Sequence, residues 1–241
     1  MTWFNRVMLN PQRRGAQKLM GNPQAMHAAV MAAFAPGTLE NSAAPGRVLW
    51  RLDSHHPEHT LYVVSPEEPD LQHVVEQAGW ATSPADMTDY SRFLGQLRRG
   101  QEWRFRLRAN PVRSVKQEGG GRGKVLPHVT PAQQLEWLKE RSERLGFALA
   151  SASEEPSAEV LDVAVTGRGD RRFRRQSESG KVSTVTLRQA QFDGTLTVTD
   201  VESLQAPDQW DRPWQGLWMR SADSEEALTD VAARRSSTGT Y

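Results

Sequence analysis

The fold class is decided by one stretch of sequence, Trp103-Arg104-Phe105-Arg106-Leu107-Arg108-Ala109-Asn110-Pro111. Apolar and basic residues alternate strictly along it until Asn-Pro ends the run, and a period of two is typical of a β-strand buried on one face. We therefore predict that Phe105, Leu107 and Ala109 lie in a core. The opposite face carries Arg104, Arg106 and Arg108, either as a solvated surface or as a row of guanidinium groups that contacts phosphates.

Further strands and helices are predicted on both sides of this strand. Before it come strands at 2–9, 47–52 and 59–65, a helix at 24–34 that begins at Asn22-Pro23, and a helix at 70–78 capped by Asp70. After it come a helix at 130–145 and strands at 160–165, 182–187 and 194–199. This order predicts an α+β fold of two tandem ferredoxin-like (RRM-like) domains with antiparallel sheets, at 1–97 and 98–205.

Composition excludes several classes of function. Lys and Arg number 30 against 29 Asp and Glu, so a nucleic-acid surface must come from local clustering of basic residues. Cysteine is absent, which removes disulfides, thiolate metal sites and cysteine nucleophiles. No apolar window is long enough to cross a bilayer, so we expect a cytoplasmic protein with no membrane partner.

Two candidate ligand motifs fail on their spacing. The run His55-His56-Pro57-Glu58-His59 has two histidines four residues apart, but Glu58 is misplaced and Pro57 breaks the helix they would share. We predict a turn between strands and no metal. The glycine-rich loop at 117–124 lacks the first glycine and the final Ser or Thr of a phosphate-binding loop, so we expect no nucleotide cofactor.

Basic residues cluster at three places. The first is the strand at 103–109, and the second surrounds Phe173 and ends at a Gly180-Lys181 turn; its cations are Arg171, Arg172, Arg174, Arg175 and Lys181. The third precedes the first helix and contains Arg13, Arg14 and Lys18. Each could be an ordinary charged surface or hairpin tip. On the strands and turns of an RRM-like fold, together they favour RNA binding.

His27 is the one histidine placed for chemistry. It lies in the second turn of the helix that begins at Asn22-Pro23, beside an apolar stripe of Met26, Val30 and Phe34. Imidazole gains and loses a proton near neutral pH, so such a residue could act as a general acid or base. A lone helical histidine is more often structural, and position alone leaves both roles open.

Several segments in order along residues 1–204 resemble the CasE family of type I-E CRISPR repeat-processing endoribonucleases. They are Leu9-Asn10-Pro11, Arg13-Arg14-Gly15-Ala16, Asn22-Pro23-Gln24-Ala25-Met26-His27, Phe105 to Pro111, Lys124 to Pro127, Gln134 to Leu138, Gly180-Lys181-Val182 and Phe192 to Leu196. The resemblance implies two ferredoxin-like domains. It also implies metal-independent cleavage at the 3′ base of the stem-loop in precursor CRISPR RNA, after which the protein stays on the guide as a subunit of Cascade.

The resemblance also implies roles for individual residues. The ribose 2′-hydroxyl attacks the phosphorus and leaves a 2′,3′-cyclic phosphate, with His27 as the catalytic residue. Lys18 and the N-terminal arginines would stabilise the charge on the phosphorane. Some relatives carry an assisting tyrosine where this chain has Gln24, so a phenol-assisted step is not expected here.

The tail at 206–241 departs from the family, and we expect it to be aberrant and poorly ordered. The family has a loop of the form Gly-Ile-Gly-x-x-Lys-x-x-Gly-x-Gly-Leu-Leu before its last strand, and this chain does not. Compatible codons for residues 208–223, read one base later, encode T-N-G-I-G-R-G-K-A-Y-G-C-G-L-L. We therefore interpret the tail as frameshifted between about Asp200 and Asp208; the alternative is a lineage-specific helix with Trp210, Trp214, Leu217 and Trp218 on one face.

The altered tail leaves three hypotheses open. The first is an active repeat endoribonuclease. The second is an RNA-binding protein that retains the stem-loop but no longer cuts it, because glycines near the RNA have been replaced. The third is an unrelated binding module built of two ferredoxin-like domains.

Overall fold

The computed structural model describes residues 1–42, 48–55, 57–116, 123–152, 160–176, 182–205 and 214–221. They divide into two compact units at Gln96 and Leu97. The first comprises 1–96 with 173–176 and 182–185, and the second comprises 97–172 with the described part of 186–221. Both contain helices and antiparallel sheets, as the predicted fold class requires. None of the helices described is long and apolar enough to span a membrane.

The first unit has the element order β-α-α-β-β-α-β-α. Its elements are β1 (Trp3–Leu9), α1 (Arg14–Gly21), α2 (Pro23–Met31), β2 (Leu49–His55), β3 (Glu58–Ser65), α3 (Gln72–Ala78), β4 (Asp86–Asp89) and α4 (Ser91–Leu94). The sheet order is β2-β3-β1-β4, with every pair antiparallel. The predicted β2–β3 hairpin is confirmed. Strand β4 was not predicted, because its four residues are mostly polar and carry no apolar alternation.

One apolar core holds the helices of the first unit against its sheet. Val7 and Leu9 alternate along β1 with less buried residues, and Leu61 and Val63 do the same on β3. These four side chains belong to the same buried cluster as residues of the first three helices: Ala16, Leu19, Met26, Ala29, Val30, Val74, Val75 and Ala78. The core therefore fixes α1 and α2 on one face of the sheet.

The second unit also has a four-strand path of antiparallel pairs. Its elements are β5 (Glu102–Ala109), β6 (Val112–Val115), β7 (Lys124–Pro127), α5 (Pro131–Ser142), β8 (Phe147–Leu149), β9 (Val163–Gln176), β10 (Val182–Val198), α6 (Val201–Gln205) and β11 (Trp214–Ser221). The order is β11-β5-β10-β8, with β9 also paired to β10. Strands β6 and β7 form a separate hairpin.

The alternation predicted for β5 is confirmed. Phe105, Leu107 and Ala109 are buried, and Arg104 and Arg106 on the other face are exposed. The predicted helix at 130–145 is also confirmed, as α5 followed by a 3-10 turn. It begins with a capping box between Thr130 and Gln133 and is followed by Gly146 at φ 80°.

Two expectations about strands were wrong. The predicted strand at 160–165 is β9, which starts at Val163 and runs to Gln176, and the strands predicted at 182–187 and 194–199 are one continuous strand, β10. Strand β10 continues through residues 188–193, where no strand was predicted, and Gly194 lies inside it. A Cβ at Gly194 would lie 2.3 Å from the carbonyl oxygen of Asp162, so only glycine allows this approach within β10.

Part of the tail forms the last strand of the second sheet. Residues 214–221 pair antiparallel with β5, from Trp214 opposite Ala109 to Ser221 opposite Trp103. The whole tail was expected to be poorly ordered, but these eight residues form a strand, so the alternative of a helix is wrong for them. The pairing gives partners to the backbone groups on the outer edge of β5. The remaining tail residues, including Trp210, lie outside the described residues.

Helix α3 begins two residues later than predicted, at Gln72. Asp70 still has the capping contact expected of it, because its Oδ1 accepts a hydrogen bond from the backbone N–H of Gln72 at 3.0 Å.

Candidate functional site

The first feature of the site is the junction between α1 and α2. Asn22 ends α1 and caps α2, and its Oδ1 accepts hydrogen bonds from the backbone N–H groups of Gln24 (2.9 Å) and Ala25 (3.4 Å). Pro23 occupies the first helical position, where a missing N–H costs nothing. The predicted start of the helix is confirmed, and it fixes the rotation of the first turns of α2.

His27 lies in the second turn of α2 with an exposed side chain. The flanking positions Met26 and Val30 are buried in the core of the first unit, so the helix presents the imidazole to solvent. Among the described residues, the imidazole of His27 has no hydrogen-bond or ion-pair partner. Both ring nitrogens are therefore available to exchange protons with a bound molecule.

Two cations lie on the adjacent helix. Arg14 and Lys18 are exposed and four residues apart on α1, so they share one helix face. Neither forms an ion pair within the described part of the chain. Because α1 contacts α2, these cations and His27 sit on neighbouring helices of one packed pair.

Arg13 behaves differently from Arg14. Its side chain is half-buried, and its Nη1 donates hydrogen bonds to the carbonyl oxygens of Val75 (3.2 Å) and Gly79 (2.9 Å) at the end of α3. Cations near helix C-termini stabilise the exposed carbonyl groups. The structure thus gives Arg13 a structural contact that the sequence did not indicate.

The arginine row on β5 is on one face, as predicted, but two of its three members have partners. Arg106 Nε lies 2.6 Å from Asp193 Oδ1, and Arg108 Nη2 donates to Gln191 Oε1 at 3.3 Å. Arg104 has no such partner within the described residues. The row is therefore a partly neutralised surface.

The pKa of Asp193 lies below its ordinary value. Burial by itself raises the pKa of this carboxyl, but hydrogen bonds from Thr166, Gln191 and Arg106 favour the charged form and outweigh it. Asp193 therefore stays ionised opposite Arg106. No local pattern in the sequence indicates this partner, because the two residues are 87 positions apart and meet through the pairing register of β5 and β10.

The second basic cluster falls on the long β9–β10 pair. Arg172 is exposed, and Arg171, Arg174 and Arg175 are placed on β9 by the backbone; Lys181 lies outside the described residues. Near this cluster, Asp170 accepts hydrogen bonds from Arg188 Nε (2.8 Å) and Nη2 (3.1 Å) across the two strands. The hydrogen bond from Arg188 holds the pKa of Asp170 below its usual range.

The histidine-rich segment forms the predicted turn. His55 ends β2, and Glu58 and His59 begin β3, with His55 opposite Glu58 in the hairpin. His56 lies outside the described residues. In the described part of the chain there is no group of three or more His, Asp or Glu side chains that could hold a metal ion.

A family of proteins described as "CRISPR associated protein" matches residues 2–207. CRISPR-associated endoribonuclease Cse3 of Thermus thermophilus is 31% identical over 202 residues, which are 83% of this chain and 88% of Cse3. This chain belongs to the Cse3/CasE family of CRISPR-associated endoribonucleases. The CRISPR system Cascade subunit CasE of Escherichia coli is 27% identical over 170 residues, 65% of this chain and 77% of that protein. The predicted resemblance is confirmed.

Solved structures of the Cse3/CasE family share the fold. One structure of Cse3 bound to 19 nt RNA superposes with a TM-score of 0.68 at 26% identity, covering 91% of this chain and 98% of that one. Thermus thermophilus Cse3 bound to an RNA representing a pre-cleavage complex gives a TM-score of 0.67 at 25% identity, with the same coverage. A chain of a CRISPR RNA-guided surveillance complex has a similar fold at 17% identity, with a TM-score of 0.60 over 91% of this chain and 99% of that one.

The family match stops at residue 207. The frameshift expected between about Asp200 and Asp208 would lie close to this end. The catalytic candidate and the cations of the first unit all lie within the matched part.

Proposed function

We propose that this chain binds the stem-loop of the repeat in precursor CRISPR RNA and cleaves at the 3′ base of the stem without a metal ion. The observation that carries the proposal is the exposed imidazole of His27 on α2, with the exposed cations Arg14 and Lys18 on the neighbouring helix α1, in a member of the Cse3/CasE family. Relatives named as endoribonucleases, solved with RNA bound, support RNA as the substrate.

In the proposed reaction the nucleophile belongs to the RNA. The 2′-hydroxyl oxygen upstream of the cut bonds to phosphorus, the bond from phosphorus to the 5′-oxygen breaks, and a 2′,3′-cyclic phosphate and a 5′-hydroxyl are formed. One proton leaves the 2′-hydroxyl and one is added to the 5′-oxygen. The exposed ring nitrogens of His27 suit either transfer, and Lys18 and Arg14 supply positive charge for the phosphorane.

We also propose that the two units are ferredoxin-like domains at 1–97 and 98–205. The support is a shared connectivity. Each sheet has a path of four strands, in the orders β4-β1-β3-β2 and β11-β5-β10-β8. When the four strands of each path are numbered along the chain, the first lies between the fourth and the third. In both, a helix follows the first strand and another precedes the last. Strand β11 extends the second domain into the tail.

The remaining cations are proposed as further RNA contacts. They are Arg104, Arg106 and Arg108 on β5, with Arg171, Arg172, Arg174, Arg175 and Lys181 on the β9–β10 pair and its connection. After cleavage the chain would remain on the guide as a Cascade subunit, an assembly that the relative CasE is named for. A cytoplasmic location follows for an enzyme that acts on a newly transcribed RNA.

The different contacts of Arg13 and Arg14 predict different effects of the same substitution. Arg14→Met should weaken stem-loop binding and reduce the slope of log affinity against log salt by about 1, because one phosphate contact is lost. Arg13→Met should lower stability by roughly 1–3 kcal/mol, because two carbonyl groups at the end of α3 lose a charged donor. Salt-dependent binding titrations and denaturant unfolding measure the two effects. A reduced salt slope in Arg13→Met with unchanged stability would contradict this assignment.

The frameshift interpretation of the tail remains a proposal, supported by the end of the family match at residue 207. Sequencing the gene tests it. We expect codons for residues 208–223 that encode the glycine-rich family loop when read one base later. Codons incompatible with that reading would contradict the interpretation and identify the tail as a lineage-specific sequence.

Incubation of the purified chain with a repeat stem-loop in EDTA tests the proposed function. We expect a single cut at the 3′ base of the stem and no cut in an unrelated stem-loop of equal length. Retention of the repeat without cleavage would instead identify a binding protein that has lost activity. The absence of both binding and cleavage would contradict the proposal.

A further inference from the structure

His73 on α3 reaches across to the helix that carries His27. Its Nε2 lies 2.9 Å from the carbonyl oxygen of Ala29 on α2. A carbonyl oxygen only accepts hydrogen bonds, so Nε2 must carry a proton and donate it. This contact joins α3 to α2 only two residues beyond His27.

The carbonyl of Ala29 needs an external donor because α2 ends there. In a longer helix the N–H of Ala33 would serve it, but that N–H donates to Val30 at 3.2 Å instead. The backbone N–H of Asp70 likewise donates to the carbonyl of Ala33 at 2.8 Å. Two orphan carbonyl groups at the end of α2 are thus satisfied from the segment that starts α3.

Few large apolar side chains of α2 reach the core. Of its nine residues, Met26 and Val30 are the large side chains that are fully buried, and four others are alanine or proline. The N-terminal end is fixed by the cap at Asn22. At the C-terminal end, the contact from His73 adds to the packing of Val30, Ala33 and Phe34 in the core.

We propose that His73 is a positioning residue for the cleavage reaction, because it anchors the end of α2 and so sets the position of the His27 imidazole. The inference rests on the proposed function, in which His27 moves protons during cleavage. Proton transfer depends steeply on geometry, and a displacement of about 1 Å can cost on the order of 100-fold in rate. Binding of the RNA, which is spread over many cations, depends little on this anchor.

The test compares His73→Leu, which removes the donor, with His73→Gln, whose amide N–H can take its place. In single-turnover cleavage of a repeat stem-loop we expect His73→Leu to be about tenfold slower, with an RNA dissociation constant within about twofold of wild type. His73→Gln should recover most of the rate. Gln72→Leu is the matched control and should leave the rate unchanged, because among the described residues the side chain of Gln72 bonds only to Glu76, within α3.

A second readout separates positioning from loss of fold. In NMR spectra of the RNA-free protein, His73→Leu should shift the His27 ring resonances and speed amide exchange at the end of α2, with the β1 and β3 amides unchanged. Equal cleavage rates in His73→Leu and wild type would overturn the inference. So would a slow rate that His73→Gln does not restore, or an equal slowing in Gln72→Leu. Full activity in a His27→Ala variant would instead remove His27 from the proposed reaction, and the absence of any cleavage by the wild-type chain would overturn the proposed function, so these failures are distinguishable.

Discussion

Substitution of His27 by alanine should abolish measurable cleavage of a repeat stem-loop. General acid–base catalysis by one positioned side chain contributes typically about 10²–10⁴-fold to a rate, and we expect a loss in this range. The dissociation constant of the RNA should change by no more than a few fold, because binding rests on phosphate contacts to many cations. Single-turnover cleavage and equilibrium binding on the same RNA measure the two quantities separately.

Gln24→Ala is the matched control for this substitution. Gln24 lies three residues earlier on α2, is exposed like His27, and its side chain makes no hydrogen bond with any described residue. The variant should cleave at the wild-type rate. If Gln24→Ala and His27→Ala slowed cleavage equally, the helix surface and not the imidazole would be responsible, and His27 would have no place in the chemistry.

Gly15→Ala should destabilise the protein, although alanine is the better helix former. A Cβ at Gly15 would lie 2.1 Å from the carbonyl oxygen of Gln77, so α1 and α3 would have to move apart. Overpacking of this kind typically costs about 1–3 kcal/mol. Because α1 carries Arg14 and Lys18 and contacts α2, we expect cleavage to fall as well. Denaturant unfolding gives the free energy directly.

Gly21→Ala makes the same chemical change at the other end of α1. Apart from its chain neighbours and the backbone of α1, no heavy atom of the described residues lies within 4 Å of a Cβ placed at Gly21. The substitution should therefore leave stability unchanged or raise it by up to about 1 kcal/mol through helix propensity. Equal effects of the two substitutions would show that the close approach of α1 to α3 is not what requires glycine at position 15.

Local patterns in the sequence predict much of the fold and part of the site. The alternation along β5 depends only on which residues face the core, and Asn22-Pro23 specifies a helix start by itself. The rotation of α2 follows from that start, so the exposure of His27 follows as well. Helix α1 was not predicted: Arg14 and Lys18 were expected to precede the first helix, and the structure places both of them on α1.

The parts that were missed depend on contacts between distant residues. Asp193 meets Arg106 across β5 and β10, and Arg13 meets Gly79 across 66 positions. Neither pairing has a local signal. The continuity of β10 through residues 188–193 was missed because most of these residues are polar, and because their pairing with β5 joins distant parts of the chain. Strand β11 was missed for a similar reason. Residues 214–221 have no local strand pattern, and they form a strand by pairing with β5.

The most direct test of the central claim is the chemistry of the cut ends. The purified chain is incubated in EDTA with a repeat stem-loop, and the products are analysed by mass spectrometry. We expect a 2′,3′-cyclic phosphate on the upstream product, a 5′-hydroxyl on the downstream product, and no cleavage of an RNA with a 2′-deoxy nucleotide upstream of the cut. A 3′-hydroxyl and a 5′-phosphate, formed only when a divalent metal ion is added, would contradict the account.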